Sequence, residues 1–232
     1  MRPPEGRFEL LRMDVDDDLS VESAINELVE REGRLDIVIS NAGWGIAGSL
    51  EDTSSAEALA QFQTNFFGTH RVCRTALPHL RQRERAHIVV VGSLAGLLGI
   101  PFQGMYSATK FALEGYCEVL RMELQATCVR VAIVEPGDFV TGFTAARRST
   151  ALSSNGSAYR ARFEAALEAI VQDETAGADP RLVGLAVERI LEQDRPALRH
   201  AVGSRLQIAV ARAKPVIPAT VLQRLISGHY QC

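Results

Sequence analysis

The sequence predicts an α/β domain built on a doubly wound parallel sheet. Three short runs, at 35–40, 87–93 and 129–137, are almost continuously apolar and rich in β-branched residues. Longer segments with the apolar periodicity of helices separate them. Strands of this kind are buried on both faces, and parallel neighbours need helical crossovers, so we expect helices on both sides of the sheet.

The first half of the chain supplies these elements in order. A helix is predicted from about 20 to 31, where Val21, Ile25 and Leu28 recur on one stripe. The strand "LDIVIS" and a turn-rich stretch lead to a long helix at 55–79. The strand "HIVVVGS" then leads to a helix at 106–125 and to the strand "VRVAIVEPG".

The pattern changes after Pro136 to a polar loop rich in Ser, Thr, Gly and Arg. Helices are predicted near 158–172 and 180–192, the second with Asp179 as its cap and Pro180 in its first turn. The last stretch predicts two short amphipathic helices broken by Pro215 and Pro218. The length of 232 residues, 47% of them hydrophobic, favours a single domain over 1–232, with about 138–232 as a loop and helical region.

Composition excludes several classes of function. The net charge of −3 comes from mixed acids and bases and indicates neither nucleic acid nor anionic lipid as a partner. The cysteines are widely spaced and the histidines lack paired-ligand spacing, so neither disulfides nor a metal site is predicted. The opening "MRPPEGRFEL" is no leader, and no apolar run could span a bilayer, so we expect a cytoplasmic protein.

Unusual polar and glycine residues follow the predicted strands, in "NAGWG" (41–45), "GSLAG" (92–96) and "PGDFVT" (136–141). Ligands of such sheets bind outside the carboxyl ends of the strands, so these segments are expected to line a site. Five flanking residues would line an apolar substrate pocket, although burial in the core explains each of them as well. They are Trp44, Leu97, Phe102, Met105 and Phe143.

Tyr106 and Lys110 stand four positions apart in a predicted helix and so share one face of it. An ammonium beside a phenol lowers the tyrosine pKa from about 10 toward the range of a general acid/base. Ser93, at the end of the preceding strand, could reach the same reacting oxygen. A Tyr and a Lys at this spacing are also common on solvated helices, so the pair alone is a weak sign of function.

Five ordered motifs resemble those of the short-chain dehydrogenases/reductases: "SNAGWG" (40–45), "NFFGTHRV" (65–72), "VVGSLAG" (90–96), "YSATK" (106–110) and "EPGDFVT" (135–141). The resemblance implies a Rossmann-like three-layer fold and NAD(P)-dependent interconversion of an alcohol and a ketone or aldehyde. "KFALEGYCEVLRMEL" is most similar to the branch that includes 17β-hydroxysteroid and retinol dehydrogenases. The apolar flanking residues point to a bulky, apolar substrate.

Carried over by position, the resemblance makes Tyr106 the catalytic acid/base and Ser93 the group that polarises the substrate oxygen. Lys110 would lower the tyrosine pKa and bind the nicotinamide ribose, and Asn65 would hold a water in the proton relay. For Asn41, Gly43 and Asn65, a structural role in a turn or beside a strand is equally well supported. NAD or NADP would be bound by Asp14, Val15, Asn41, Ala42, Gly43, Tyr106, Lys110, Pro136, Gly137, Phe139 and Thr141.

The match lacks the family's first βαβ unit, whose glycine-rich turn receives the coenzyme pyrophosphate. The chain contains no GxxxGxG, and its opening would run directly into the family's third strand, at 8–14. One explanation is a shortened version of an ordinary enzyme, for example from a misassigned start; we favour it because the catalytic residues have little use without coenzyme. The other is a coenzyme-free binding or oligomerisation module.

Two expectations about the assembled protein follow. Without the first βαβ unit, an edge of the sheet and apolar helix faces would be exposed. The helices at 55–79 and 106–125 resemble those that form the family's dimer and tetramer interfaces, so we expect a homodimer or homotetramer. Apolar residues on both sides of the second helix fit this, although a buried helix in a monomer would look similar.

Overall fold

The computed structural model describes residues 9–153 and 156–232. The helices are α1 (Asp18–Glu32), α2 (Ser55–Phe62), α3 (Thr69–Leu80), α4 (Gly104–Glu123), α5 (Phe143–Ala146), α6 (Arg160–Thr175), α7 (Arg181–Glu192), α8 (Arg205–Ala213) and α9 (Ala219–His229). The strands are β1 (Ile37–Ser40), β2 (Ile46–Ala47), β3 (Ala86–Val91), β4 (Val129–Pro136), β5 (Arg148–Ser149) and β6 (Arg199–Val202).

The main sheet has the strand order β1-β3-β4-β6, and every pair in it is parallel. In its centre Val90 lies opposite Ser40 on one side and Ile133 on the other. A separate parallel pair, β2 and β5, lies outside this sheet. The predicted parallel α/β architecture is confirmed.

Side-chain alternation along β3 and β4 explains why helices cover both faces. Ile88 and Val90 point into a cluster with residues of α1, α3 and α4. Val89, between them, packs in a second cluster with α7. Successive side chains of a strand point to opposite faces, so an uninterrupted apolar run needs a helical layer on each side.

The strand β1 is covered on one face only. Val38 and Ser40 are buried, whereas Ile37 and Ile39 are largely exposed. In the described part of the chain β1 pairs with β3 alone. The expected exposure at this edge of the sheet is therefore present.

The strand predicted at 8–14 is not formed at residues 9–14, and Phe8 lies outside the described residues. Leu10 is fully exposed. A strand needs a neighbour for its backbone N–H and C=O groups, and no described strand lies beside this segment. This prediction was wrong for lack of a pairing partner.

The helix predicted at 55–79 is present but changes its winding midway. Ser54 opens it with a capping box, in which its hydroxyl and the Glu57 carboxylate each satisfy a backbone N–H of the other residue. Between α2 and α3, residues 63–68 form a π-helical turn that contains Asn65. Single π-helical turns inside helices often occur at functional sites.

The second half of the chain follows the predicted helices and adds elements that the pattern did not indicate. The helices α6 to α9 match the four predicted, and the Asp179 side chain accepts a hydrogen bond from the Arg181 backbone N–H at 2.9 Å. The short elements α5, β5 and β6 were not predicted. No helix among the described residues has the length and apolarity needed to cross a bilayer.

Candidate active site

Three of the predicted catalytic residues meet where β3 ends. Ser93 follows β3 and opens a 3₁₀ turn at 94–96, where its hydroxyl accepts a hydrogen bond from the Ala95 N–H at 3.1 Å. Tyr106 and Lys110 lie in the first two turns of α4, which packs against that turn. Gly96 permits this packing, because a Cβ there would lie 2.9 Å from the Lys110 carbonyl oxygen.

The Tyr106 phenol is buried, and burial raises its pKa to about 12. A hydrogen bond with the Ser93 hydroxyl acts in the opposite sense but has the smaller effect. Burial thus dominates the pKa of Tyr106 in this structure, and the lowering of that pKa by Lys110 stays a prediction. The phenol is protonated at neutral pH and can donate a proton.

Lys110 points below the tyrosine ring toward the sheet. Its Nζ lies 5.7 Å from the centroid of the Tyr106 ring and donates a hydrogen bond to the Val91 carbonyl oxygen at 2.8 Å. Burial lowers the pKa of Lys110 to about 8. An ammonium has three N–H donors, and Val91 is the one acceptor it meets among the described residues. Two donors are free to bind a ligand.

Asn65 links the segment after β1 to helix α4. Its Oδ1 accepts a hydrogen bond from the Trp44 N–H, and its Nδ2 donates to the Trp44 carbonyl oxygen, both at 3.0 Å. The same Nδ2 lies 3.2 Å from the Thr109 hydroxyl, next to Lys110 in sequence. Gly43 fits closely here, since a Cβ on it would lie 3.1 Å from Asn65 Oδ1. The structural role considered for Asn65 is thus present, and its water-holding role stays a prediction.

The other residues predicted to bind coenzyme near β1 lie at its carboxyl end or beside the π-helical turn. Asn41, Ala42 and Gly43 are exposed immediately after β1. Asp14 is exposed and accepts a hydrogen bond from the Asp16 N–H at 3.0 Å. Val15 packs on the π-helical turn, where a Cβ on Gly68 would lie 2.9 Å from it.

The predicted coenzyme loop at 136–141 leaves β4 beside the same site. The Ser93 hydroxyl lies 3.4 Å from the Pro136 carbonyl oxygen. Gly137 lies against the side-chain amide of Gln207 on α8, which would have to move to admit a Cβ at this position. Phe139 is buried, and the Thr141 hydroxyl accepts a hydrogen bond from the Phe143 N–H at 3.2 Å. This loop therefore connects Ser93 to the cap described next.

A short cap, formed by α5 and Arg147, covers Tyr106. The Phe143 ring lies 5.4 Å from the Tyr106 ring, and the Arg147 guanidinium lies 5.6 Å from the Phe143 ring. Arg147 forms a buried ion pair with Glu174 of α6, whose carboxylate also accepts a hydrogen bond from the Thr144 hydroxyl at 2.7 Å. The Arg147 Nε is buried without a partner among the described residues. The sequence analysis missed Arg147 and Glu174.

The five residues predicted to line an apolar pocket are half-buried. None of the five belongs to the fully buried core, and none is fully exposed. The Trp44 ring carries the Arg148 guanidinium 4.4 Å above it. These residues are Trp44, Leu97, Phe102, Met105 and Phe143.

Across residues 9–153 and 156–232, no three His, Cys, Asp or Glu side chains are grouped so that they could hold a metal ion. The four cysteines are unpaired thiols.

The structure groups a serine, a tyrosine and a lysine at the carboxyl edge of a parallel α/β sheet. This arrangement is that of a class of oxidoreductases. The family profile described as short chain dehydrogenase matches residues 2–152. The chain belongs to the short-chain dehydrogenase family.

Individual relatives agree with this assignment. The chain is 38% identical to a 3-ketodihydrosphingosine reductase from Bacteroides thetaiotaomicron, over 97% of this chain and 84% of that protein. It is 41% identical to retinol dehydrogenase 8 from Bos taurus, over 57% of this chain and 42% of that protein. The latter confirms the resemblance to the retinol dehydrogenase branch.

A solved structure shares the fold at lower identity. It is a short-chain dehydrogenase/reductase from Burkholderia phymatum in complex with NAD, with a TM-score of 0.77 and 25% identity. The alignment covers 89% of this chain and 74% of that one.

Proposed function

We propose that the protein is an NAD(P)-dependent oxidoreductase that interconverts an alcohol and a ketone or aldehyde. The observation that carries the proposal is the grouping of Ser93 with the buried Tyr106 and Lys110, in which serine hydrogen-bonds the phenol and lysine lies one helical turn away. The NAD-bound structural relative supports a nicotinamide coenzyme.

Residues at both ends of such a coenzyme fit it. The two free donors of Lys110 suit the hydroxyls of the nicotinamide ribose. Asn41 and Gly43, which the family resemblance places beneath the adenosine and its ribose, lie exposed at the end of β1. The Gly137 N–H donates a hydrogen bond to the Val202 carbonyl oxygen at 2.9 Å, which holds the start of the loop after β4 against β6. The pyrophosphate has no counterpart among these residues, since the 232 residues contain no GxxxGxG turn. The choice between NAD and NADP is not encoded in the residues that fit.

In the direction of reduction, Tyr106 donates its phenolic proton to the substrate carbonyl oxygen. A nicotinamide coenzyme, which Lys110 would hold by its ribose, would supply the hydride that the carbonyl carbon accepts. Ser93 hydrogen-bonds the same oxygen and stabilises the negative charge that develops on it. Lys110, when protonated, stabilises the phenolate that Tyr106 becomes, and a proton from solvent restores the phenol. Oxidation follows the reverse order.

We further propose a long-chain, apolar ketone as the substrate. The Phe143 ring, 5.4 Å from the Tyr106 ring, places an apolar surface beside the proton donor. The most suitable first compound is 3-ketodihydrosphingosine, because a relative aligned over nearly the whole of this chain is named as its reductase. A cytoplasmic location and a homodimer or homotetramer through α3 and α4 complete the proposal. Between these helices lies a groove of about 400 Å³ that includes Leu77 and Val119.

The competing function is a coenzyme-free binding or oligomerisation module. The missing glycine-rich turn and the exposed face of β1 favour it. Titration of the purified protein with NADH and NADPH, followed by coenzyme fluorescence, separates the two functions. The enzyme proposal requires a saturable change with one coenzyme and its consumption when 3-ketodihydrosphingosine is added. No change with either coenzyme at millimolar concentration would leave the binding module as the function of this chain.

A further inference from the structure

The even mixture of charges in the whole chain does not extend to its last residues. The segment 195–232 contains six Lys or Arg residues and no Asp or Glu, although the protein as a whole has a net charge of −3. One of the six, Arg199, faces Glu114 and Glu118 and is neutralised by them. Four of the other five, Arg205, Arg212, Lys214 and Arg224, lie on α8 and α9 or in the turn between them.

Helix α9 exposes an apolar and basic stripe. Val221, Arg224 and Leu225, at positions i, i+3 and i+4, lie on one side of the helix, and all three are exposed. Leu222 and Ile226 lie on the other side, within an apolar cluster. This exposed stripe therefore belongs to an amphipathic helix whose inner side is already packed.

Helix α8 and the turn after it also expose basic and apolar residues. Arg205, Leu206 and Arg212 are exposed, with Leu206 73% accessible. Val216, in the turn between the two helices, is 83% accessible. We call these seven residues the C-terminal face: Arg205, Leu206, Arg212, Val216, Val221, Arg224 and Leu225.

Both helices pack their inner sides on the segment that follows Ser93. Ala211 of α8 and Leu222 of α9 share a cluster with Leu94 and Leu98. Lys214 reinforces the contact by donating a hydrogen bond to the Leu97 carbonyl oxygen at 2.6 Å. Both inner sides therefore meet one cluster, and the exposed residues of each helix lie on the side that faces away from it.

One arginine of this face, Arg212, is close enough to Glu135 to counter the rise in the pKa of that buried carboxyl. Arg205, Arg212 and Arg224 form no ion pair with any side chain within residues 9–153 and 156–232. Helix α7 shows the contrast: it also exposes Leu182 and Leu185, but carries Glu188 and Glu192 among its basic residues. Exposed apolar side chains with unpaired arginines and no carboxylates are typical of helices that lie on anionic lipid surfaces.

We propose that the C-terminal face binds peripherally to the surface of an anionic lipid bilayer. The four apolar side chains enter the boundary between headgroups and acyl chains, while the three arginines pair with lipid phosphates. Lipid is favoured over a second copy of this chain, because two such faces would bring arginines together without carboxylates to pair with them. The inference is independent of the proposed enzymatic activity.

The test is co-sedimentation of the purified protein with phosphatidylcholine vesicles, with and without phosphatidylglycerol. We expect binding that requires phosphatidylglycerol and weakens as salt increases. In the double variant Arg224→Glu/Leu225→Ser the partition coefficient should fall by about tenfold or more. The matched control on α7 is Arg189→Glu/Leu185→Ser, which changes the same residue types on an exposed helix and should bind as the unchanged protein does.

Circular dichroism establishes that both variants are folded, and light scattering reports self-association. Absence of binding at low salt, or equal loss in both double variants, would overturn the proposal. So would a dimer that dissociates in the α9 variant, since a second copy would then cover the face. A second variant, Arg205→Glu/Leu206→Ser, must reproduce the loss if α8 belongs to the same surface.

Discussion

Burial sets the charge states of the two residues at the centre of the candidate site. It favours the neutral form of both groups: it raises the pKa of Tyr106 to about 12 and lowers that of Lys110 to about 8. The sequence could place the two residues on one helix face, but it could not predict these pKa shifts, because the depth of a side chain below the surface is a property of the packed fold. The tyrosine is accordingly ready to donate a proton, whereas the lysine charge is sensitive to pH near neutrality.

Replacement of Tyr106 by phenylalanine tests the proton donor directly. Turnover should fall by at least about a hundredfold, because general acid catalysis contributes roughly 10²–10⁴ in rate. Coenzyme affinity should stay nearly unchanged. Steady-state kinetics and fluorescence titration measure the two effects. The control is Tyr116→Phe, on the same helix, where the Tyr116 hydroxyl forms a hydrogen bond with His70; this variant should keep its turnover. If Tyr106→Phe kept its turnover, the role proposed for Tyr106 would be wrong.

The pKa of Lys110 predicts how stability depends on pH. Its folded pKa, about 8, lies below the ordinary value of 10.5. Between about pH 8 and 10 the unfolded chain therefore binds more protons, so this group makes the free energy of unfolding rise with pH, by up to about 1.4 kcal/mol per pH unit. Above about pH 10 the raised pKa of Tyr106 acts in the opposite sense.

Urea unfolding of the unchanged protein and of Lys110→Met, at several pH values in this window, isolates the contribution. The difference in unfolding free energy between the two proteins should grow with pH in favour of the unchanged protein. Parallel pH profiles would contradict the burial of an ionisable lysine at this position.

At the scale of elements, long periodic segments were predictable and short ones were not. The strand patterns at 35–40, 87–93 and 129–137 led to β1, β3 and β4 because each is buried by helices that the same periodicity indicates. The strand β6 has four residues, as β1 does, but begins with Arg199 and His200 and so lacks an apolar run, and β5 has only two residues. The predicted strand at 8–14 failed because pairing, which no local pattern reports, decides whether a strand forms.

The cap is an element whose cohesion depends on one ion pair. Glu174→Gln would leave the buried Arg147 guanidinium without its carboxylate, and the unfolding free energy should fall by about 3–5 kcal/mol. Denaturant unfolding measures this loss. The double variant Glu174→Gln/Arg147→Met should recover most of it, because the unpaired charge is gone. A loss below about 1 kcal/mol in the single variant would mean that the pair contributes little to the cap.

At the scale of the whole molecule, the sequence predicted the catalytic residues of the candidate site better than the cap beside Tyr106. Ser93, Tyr106 and Lys110 lie within 18 positions of one another, after one strand and on the next helix, so their meeting follows from local order. Arg147 and Glu174 are 27 positions apart in sequence, on elements whose packing no spacing indicates. The C-terminal face was hidden for another reason: averaging charge over the chain conceals a segment that has arginines and no carboxylates.

The position of Phe143 has a consequence for selection among substrates. A ketone that approaches Tyr106 from the side of Phe143 must displace this aromatic ring, which lies 5.4 Å from the Tyr106 ring. A short ketone regains little of the contact that is lost, whereas a long alkyl chain recovers about 25 cal/mol for each Å² of apolar surface it buries. We therefore expect the cap to select substrates by chain length. Only a ketone whose alkyl chain is long enough to replace the apolar contacts of the displaced Phe143 ring should be admitted.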